Sequence, residues 1–162
     1  MTSWSGMRRK LEEEYLADCL KGHIQYYATT YRRSADDEGR AAIQLDGKEI
    51  LKGNYFNTWH RWHYRYYEIN DDHLSLGAFD QRDFYDAFRE FDNQSIEKSM
   101  QSENLIVRIF AILDRRVGKR RLLQIQETIQ NEPVNIQIFY AIRMEAEGLL
   151  TKKTISKEEC LI

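Results

Sequence analysis

Asp46, Gly47 and Lys48 carry the D-x-K spacing in which a carboxylate holds a divalent ion and a lysine activates water, with Asp36 or Asp37 as the second acid. An Asp-Gly pair is also the residue pair of a tight hairpin turn. His60 and His63 stand at i, i+3, where two imidazoles on one helix face reach a common cation, but no third ligand follows at a usual interval and no HExxH pattern surrounds them. Asp83, Asp86 and Glu90 repeat at helical spacing, as acid–base or metal chemistry would need. No histidine or lysine sits beside them, so a solvated acidic face is the better explanation. There is no GxSxG and no glycine-rich phosphate loop. The sequence therefore argues for binding rather than catalysis, with no metal and no cofactor expected.

Positive charge is densest at Arg115, Arg116, Lys119, Arg120 and Arg121, with Asp114 the one acid inside the group. Together with Arg8, Arg9 and Lys10 such a cluster supplies about four to six phosphate contacts. It lacks a zinc spacing, RNP aromatics or a cleanly capped helix-turn-helix around it. The same arginines have internal partners to choose from in Asp114, Glu145, Glu147 and the acidic helix. A second surface of interest carries His60, His63, Tyr64 and Tyr67, and exposed aromatics of this kind are what protein interfaces are built from.

The elements that must position these groups follow from periodicity. Leu11, Tyr15, Leu16, Cys19 and Leu20 predict an amphipathic helix over Met7–Leu20, with Arg8, Arg9 and Lys10 at its positive end. HIQYYATTYR from His23 fits a strand, SADDEG a loop, and Ala41, Ile43 and Leu45 the inward face of a second strand. Asp46-Gly47 then turns the chain into KEILK, giving a three-stranded antiparallel meander. Tyr55, Trp59, Trp62, Tyr66 and Ile69 predict a helix whose aromatic face covers that sheet, leaving the histidine face outside. HLSLGAFDQ reads as a turn region. Asp80 and Asp83 form a capping box, Phe79 staples onto Phe84, and Phe84, Phe88 and Phe91 make the buried stripe of the next helix. Ser95 opens a short helix to Met100.

Asn104–Leu113 is apolar nearly all round and predicts the central helix. Leu122, Ile125 and Ile129 continue on the opposite face, so Gly118 is the expected point of re-aiming, as a C′ residue or a kink, with the surrounding cations capping carbonyls. Pro133 marks a first helical position, Ile138, Phe139, Ile142 and Ala146 the face of the last helix, and Gly148 its end. The fold class is α+β: an N-terminal helix, the meander, then a mostly helical part around one core helix.

With 162 residues, 42% of them hydrophobic, the chain suffices for one domain over 1–150, followed by a polar tail over 151–162. A net charge of -2 confines any attraction to polyanions to a local patch. The two cysteines, Cys19 and Cys160, read as reduced thiols of a cytoplasmic protein. No apolar h-region opens the chain and no run of about 18 apolar residues crosses a membrane.

WSGMRRKLEE, CLKGHIQYYATTYR, GRAAIQLDGKEI, LIVRIFAILDRRVGKRRL and VNIQIFYAIRMEAEGL together resemble an uncharacterised family of small soluble bacterial proteins with a DRRVGKR core motif and a terminal FYxLRxxAEG-like helix. The resemblance spans Trp4 to Leu149 and implies a bacterial, cytosolic protein, without implying an activity. It keeps Asp114, Arg115, Arg116, Val117, Gly118, Lys119 and Arg120, and in the last helix Phe139, Tyr140, Arg143, Ala146, Glu147 and Gly148. A site within the motif would comprise Asp114, Arg115, Arg116, Lys119, Arg120 and Arg143. The expected function is a non-enzymatic protein-interaction module, such as an immunity, antitoxin or regulatory subunit, with a protein partner and no membrane. Nucleic-acid binding through 115–121 is the alternative, and a metal-dependent nuclease the remote one.

Overall fold

The computed structural model describes residues 3–30 and 39–149. The tail at 151–162 and all of the SADDEG loop but Gly39 lie outside the described residues. Strands β1 (Ile24–Thr30), β2 (Gly39–Leu45) and β3 (Lys48–Lys52) form the expected antiparallel meander in the order β1-β2-β3. Ile24 faces Leu45 and Thr30 faces Gly39 across the first pair. Asp46 and Gly47 both take positive φ, at 51° and 83°, as a type I′ turn demands. Ile24, Tyr26, Ala41, Ile43 and Leu51 are buried.

Helix α1 (Trp4–Arg9) runs into a π-helical stretch at Lys10–Tyr15, and the chain becomes extended at Leu16. The single helix expected through Leu20 is therefore broken, and Arg8 and Arg9 sit in the last turn of α1 rather than at a positive end. Two causes are visible. The buried residues Met7, Leu11 and Leu16 are spaced by four and then five, which suits an i→i+5 turn. Beyond Tyr15 the backbone is engaged elsewhere: the Ala17 N–H donates to the Leu113 carbonyl at 2.9 Å and the Arg115 N–H to the Tyr15 carbonyl at 2.7 Å.

Helix α2 (Tyr55–His63) is shorter than expected and turned the other way. Its buried residues are Thr58 and Arg61, whereas Trp59, Trp62 and Tyr66 are exposed. Polar anchoring outweighs the apolar stripe. The Thr58 hydroxyl donates to the Phe79 carbonyl at 2.8 Å, and the Arg61 guanidinium reaches the Asp83 carboxylate at 2.7 Å and the carbonyls of Tyr66 and Tyr67 at 3.2 Å each. A positive φ of 61° at Arg65 turns the chain after α2. The expected turn region contains a short helix, α3 (Asp71–Ser75), closed by an Asn70–His73 capping box.

The sheet is covered by α4 (Gln81–Asp92), which packs against β1 and β2. Its Asp80–Asp83 capping box and the stacked Phe79–Phe84 pair, at 5.8 Å between centroids, are as the sequence predicts. After α5 (Ile96–Met100) comes the central helix α6 (Leu105–Ile112), capped by Asn104 and buried on every side except at Arg108. Phe110 meets Tyr26, Phe84 and Phe91 edge-on at 5.4, 5.8 and 5.7 Å, joining sheet, α4 and α6 in one core.

The chain changes direction at Leu113–Val117, ahead of Gly118. That glycine has extended geometry (φ -83°, ψ 172°) and is the N-cap of α7 (Lys119–Ile125), so it is neither a C′ residue nor a kink. Lys119, Arg120 and Arg121 consequently occupy the positive end of a helix, the reverse of the expected capping. The last helix, α8 (Val134–Ala146), has Pro133 as its N-cap and buries Asn135, Ile136, Phe139, Tyr140, Arg143 and Met144, while Ile138 faces out. Gly148, at φ 71°, ends it as expected. Among the described residues no helix is long and apolar enough to cross a membrane.

Asp71 of α3 holds the start of α8, accepting from the Val134 and Asn135 N–H groups at 2.8 and 3.0 Å and from the Asn135 amide at 2.8 Å. Burial opposes its charge, but these donors outweigh burial and keep the carboxyl below its ordinary value. A depressed carboxyl adds stability above the unfolded value, lost as pH falls through and below about 4. Asp71→Ala should cost about 1 kcal/mol at pH 7. Urea unfolding of both proteins should show that deficit shrinking toward pH 3.

Candidate functional site

The basic motif spans the loop after α6 and the first turn of α7, and Arg143 of α8 enters it from below. Its guanidinium donates to the carbonyls of Ile112 and Asp114 at 2.8 Å each and of Val117 at 2.6 Å, and its Nε to Glu147 Oε1 at 2.9 Å. The side chains of Asp114 and Arg143 belong to residues only 0% and 2% exposed, so a partner reaches neither without opening the loop. Asp114 is occupied as well. Its carboxylate accepts from the Arg116 N–H at 2.7 Å and from the Arg116 guanidinium at 3.0 and 2.8 Å. Arg116 lies 4.9 Å over the Tyr15 ring, and Arg115 Nε donates to the Glu14 carbonyl at 2.6 Å. Lys119 and Arg120 are exposed, and Arg121 stands 3.6 Å from Glu97. Of the acids the sequence offered to these arginines, Asp114 pairs with Arg116, whereas Glu147 pairs with Arg143 outside the cluster. Acidic Asp18 and Glu97 lie within the fields of Arg115 and Arg116, so the patch is not uniformly positive.

The second group, His60, His63, Tyr64 and Tyr67, lies on α2 and the turn after it. Six large aromatic residues are exposed there: Phe56, Trp59, Trp62, Tyr64, Tyr66 and Tyr67, with Phe56 at 65% and Tyr67 at 69%. Their rings order one another. Trp59 stacks on His63 at 4.8 Å, Phe56 meets His60 edge-on at 4.6 Å, and the Arg82 guanidinium sits 4.6 Å over Trp62. The histidines are thus held by aromatic contacts, and among the described residues no group of three His, Cys, Asp or Glu is placed to hold a metal ion. Sequence reasoning missed Trp59, Trp62 and Tyr66 as surface because it assigned the apolar stripe inward, and it gave Phe56 no place. The signal was present in Thr58 and Arg61, at i, i+3 about a quarter turn from the aromatic stripe.

Beside Tyr67 opens a cleft of about 560 Å³, bounded by the turn after α2, the outer side of α4 and the start of α6. The acidic residues of α4 do not form one solvated face there. Asp83 is mostly enclosed as cap and Arg61 partner, and burial pushes its carboxyl up to about 6. Asp86 is exposed and pairs with Arg89 at 3.0 Å, and Glu90 accepts from the Ser102 hydroxyl.

The remaining chemistry is dispersed. Asp46 sits on the hairpin turn with His23 Nδ1 at 2.6 Å, and Asp36 and Asp37 lie outside the described residues. Cys19, His23 and Asp46 line a cavity of about 360 Å³, a grouping the sequence reading passed over in taking neither cysteine to have a histidine nearby, although Cys19 and His23 are four apart. The thiol donates to Glu147 at 3.1 Å instead of meeting His23, and burial with that carboxylate pushes it up to about 11. At neutral pH it is a protonated thiol, not a nucleophile.

The SF0329 protein family matches residues 3–144. This chain belongs to that family. No curated protein and no solved structure matches it. The SF0329 match runs from the Ser3 cap of α1 to Met144 in α8, so it takes in the meander, the aromatic α2, the whole basic loop and Arg143. In this SF0329 chain the motif cations divide by use: Arg143 is buried under the loop, Arg116 is exposed but paired to buried Asp114, and Arg115, Lys119 and Arg120 are exposed.

Denaturant unfolding separates those two groups. Arg143→Ala removes the guanidinium shared by three carbonyls and Glu147, of which, among the described residues, Asp114 keeps only the Val117 N–H and Glu147 only the Cys19 thiol, and should cost about 3–5 kcal/mol. Arg143→Lys should recover only part of it, because an ammonium cannot span the fork. Arg120→Ala should stay within about 0.5 kcal/mol of the parent.

Proposed function

We propose that this SF0329 protein is a non-enzymatic protein-interaction module, a bacterial cytoplasmic subunit whose partner docks on the aromatic face of α2. The observation that carries this reading is the exposure of six large rings within residues 56–67, on a helix fixed by Thr58 and Arg61 and on the turn that follows it. Large aromatics left in water are costly to keep on a surface unless a partner covers them, and Trp and Tyr are the residues that most often dominate binding energy. The rings are also pre-ordered by mutual contacts, which lowers the entropy lost on docking. Acids interleaved with the basic loop speak against a phosphate-backbone surface there, and among the described residues no assembled catalytic set competes.

The test is isolation of the tagged protein from its own host cells in three forms: parent, Trp59→Ser/Tyr64→Ser/Tyr67→Ser, and Arg115→Ala/Arg120→Ala. The parent and the arginine variant should retain the same protein partner with or without nuclease, and the triple variant should bind it at least about thirtyfold more weakly. A partner held equally by the triple variant, or nucleic acid lost only with the arginines, overturns the reading. The substituted rings are exposed, so the triple variant should unfold at the parent's denaturant midpoint.

A further inference from the structure

We infer that the partner presents a basic segment, placing a lysine or arginine side chain in the cleft beside Tyr67 while its neighbouring residues lie on the α2 rings. This rests on the protein-interaction reading and names the chemistry of the partner. The aromatic face and the cleft are continuous, because Tyr67 is both one of the exposed rings and part of the cleft wall. A ligand covering the rings therefore meets the cleft.

Six carboxylate residues line that cleft, Glu68, Asp71, Asp83, Asp86, Glu90 and Glu103, and no lysine, arginine or histidine does. Some of this charge is already used: Asp83 faces Arg61, Asp86 pairs with Arg89, and Asp71 caps α8. Glu68 and Glu103 are exposed and make no ion pair or hydrogen bond through their carboxylates among the described residues. Ile69, Leu105 and Pro133 supply apolar lining between the acids. This is the surface that a long basic side chain fits, with its methylene stem on the apolar part and its charged head among carboxylates. Tyr67 adds a ring face of the kind that attracts guanidinium and ammonium groups. An acidic or neutral segment would leave those carboxylates facing like charge or desolvated without a counter-ion, which selects against it.

The test uses defined probes on the whole chain: capped tetra-arginine and tetra-lysine, with capped tetra-glutamine and tetra-glutamate as controls, titrated into ¹⁵N-labelled protein. Saturable shifts are expected at residues 67–71 and 103–105 with the two basic peptides only, weakening as salt is raised. Glu68→Gln/Glu103→Gln should raise the Kd roughly tenfold. The charge-matched Glu127→Gln/Glu145→Gln, outside the cleft, should leave it within about twofold. Both pairs are exposed, and unchanged spectra elsewhere establish that the variants fold. Equal shifts with tetra-glutamine, or equal losses from both double variants, overturn the basic-segment inference. If that happens while the Trp59/Tyr64/Tyr67 variant still loses its partner, the interaction reading stands without it. If the basic probes bind as expected while that variant keeps its partner, the interaction reading falls and the cleft is a cation site of another kind.

Discussion

The guanidinium of Arg143 fastens the second half of the molecule. It meets the last carbonyl of α6, two carbonyls of the loop beyond and the Glu147 carboxylate, with almost no exposure to solvent. A cation placed at the negative end of a helix, against carbonyls that lack partners within it, offsets much of the cost of burying its charge. Because the loop is held in this shape, the Asp114 and Leu16 backbones bridge, and the N-terminal segment is drawn out of helix at Leu16 to meet them. Asp114, sealed beneath the loop, in turn holds Arg116 over Tyr15 and Phe91. The segment after α1 and the last helix, α8, are joined through this loop.

Its consequence is a division of labour between charge and aromatic surface. The most distinctive stretch of the sequence, DRRVGKR, contributes chiefly to assembly, and its side chains are partly consumed by internal bonds. Six large exposed rings lie instead on α2 and the turn after it. There the polar anchors take the inward positions: Thr58 bonds to the carbonyl before the α4 cap, and Arg61 bonds to the Asp83 of that cap. Docking through hydrogen bonds leaves the aromatic stripe free, and the helix stays fixed without burying it.

The parts of the fold that local chemistry decides were legible in the sequence. Asp46-Gly47 set the hairpin, Asp80 and Asp83 the start of α4, Ser95 that of α5, and Gly148 the end of α8, because each is a rule about a few neighbouring residues. The core helix was legible from composition alone. What was hidden depends on distant partners. Nothing near Leu16 announces that its backbone will pair with Asp114. Gly118 carries the mark of a helix end, yet the re-aiming is done by a loop that Arg143 holds from another helix. Periodicity reads apolar stripes as inward, so it turned α2 around and placed Ile138 in the core, where Asn135 and Arg143 stand instead. Of the candidate site, the exposure of His63, Tyr64 and Tyr67 was legible, and the burial of Asp114 and Arg143 was not.

The central claim is that the exposed rings of α2, and not the DRRVGKR loop, face the partner. Photo-crosslinking in the host cell tests it most directly, with a benzophenone amino acid placed once at Tyr64 and once at Arg120, both exposed and outside the fastening around Arg143. The account predicts a discrete protein adduct from position 64 and none from position 120. A discrete adduct from position 120 alone, to protein or to nucleic acid, would contradict it and move function to the basic loop.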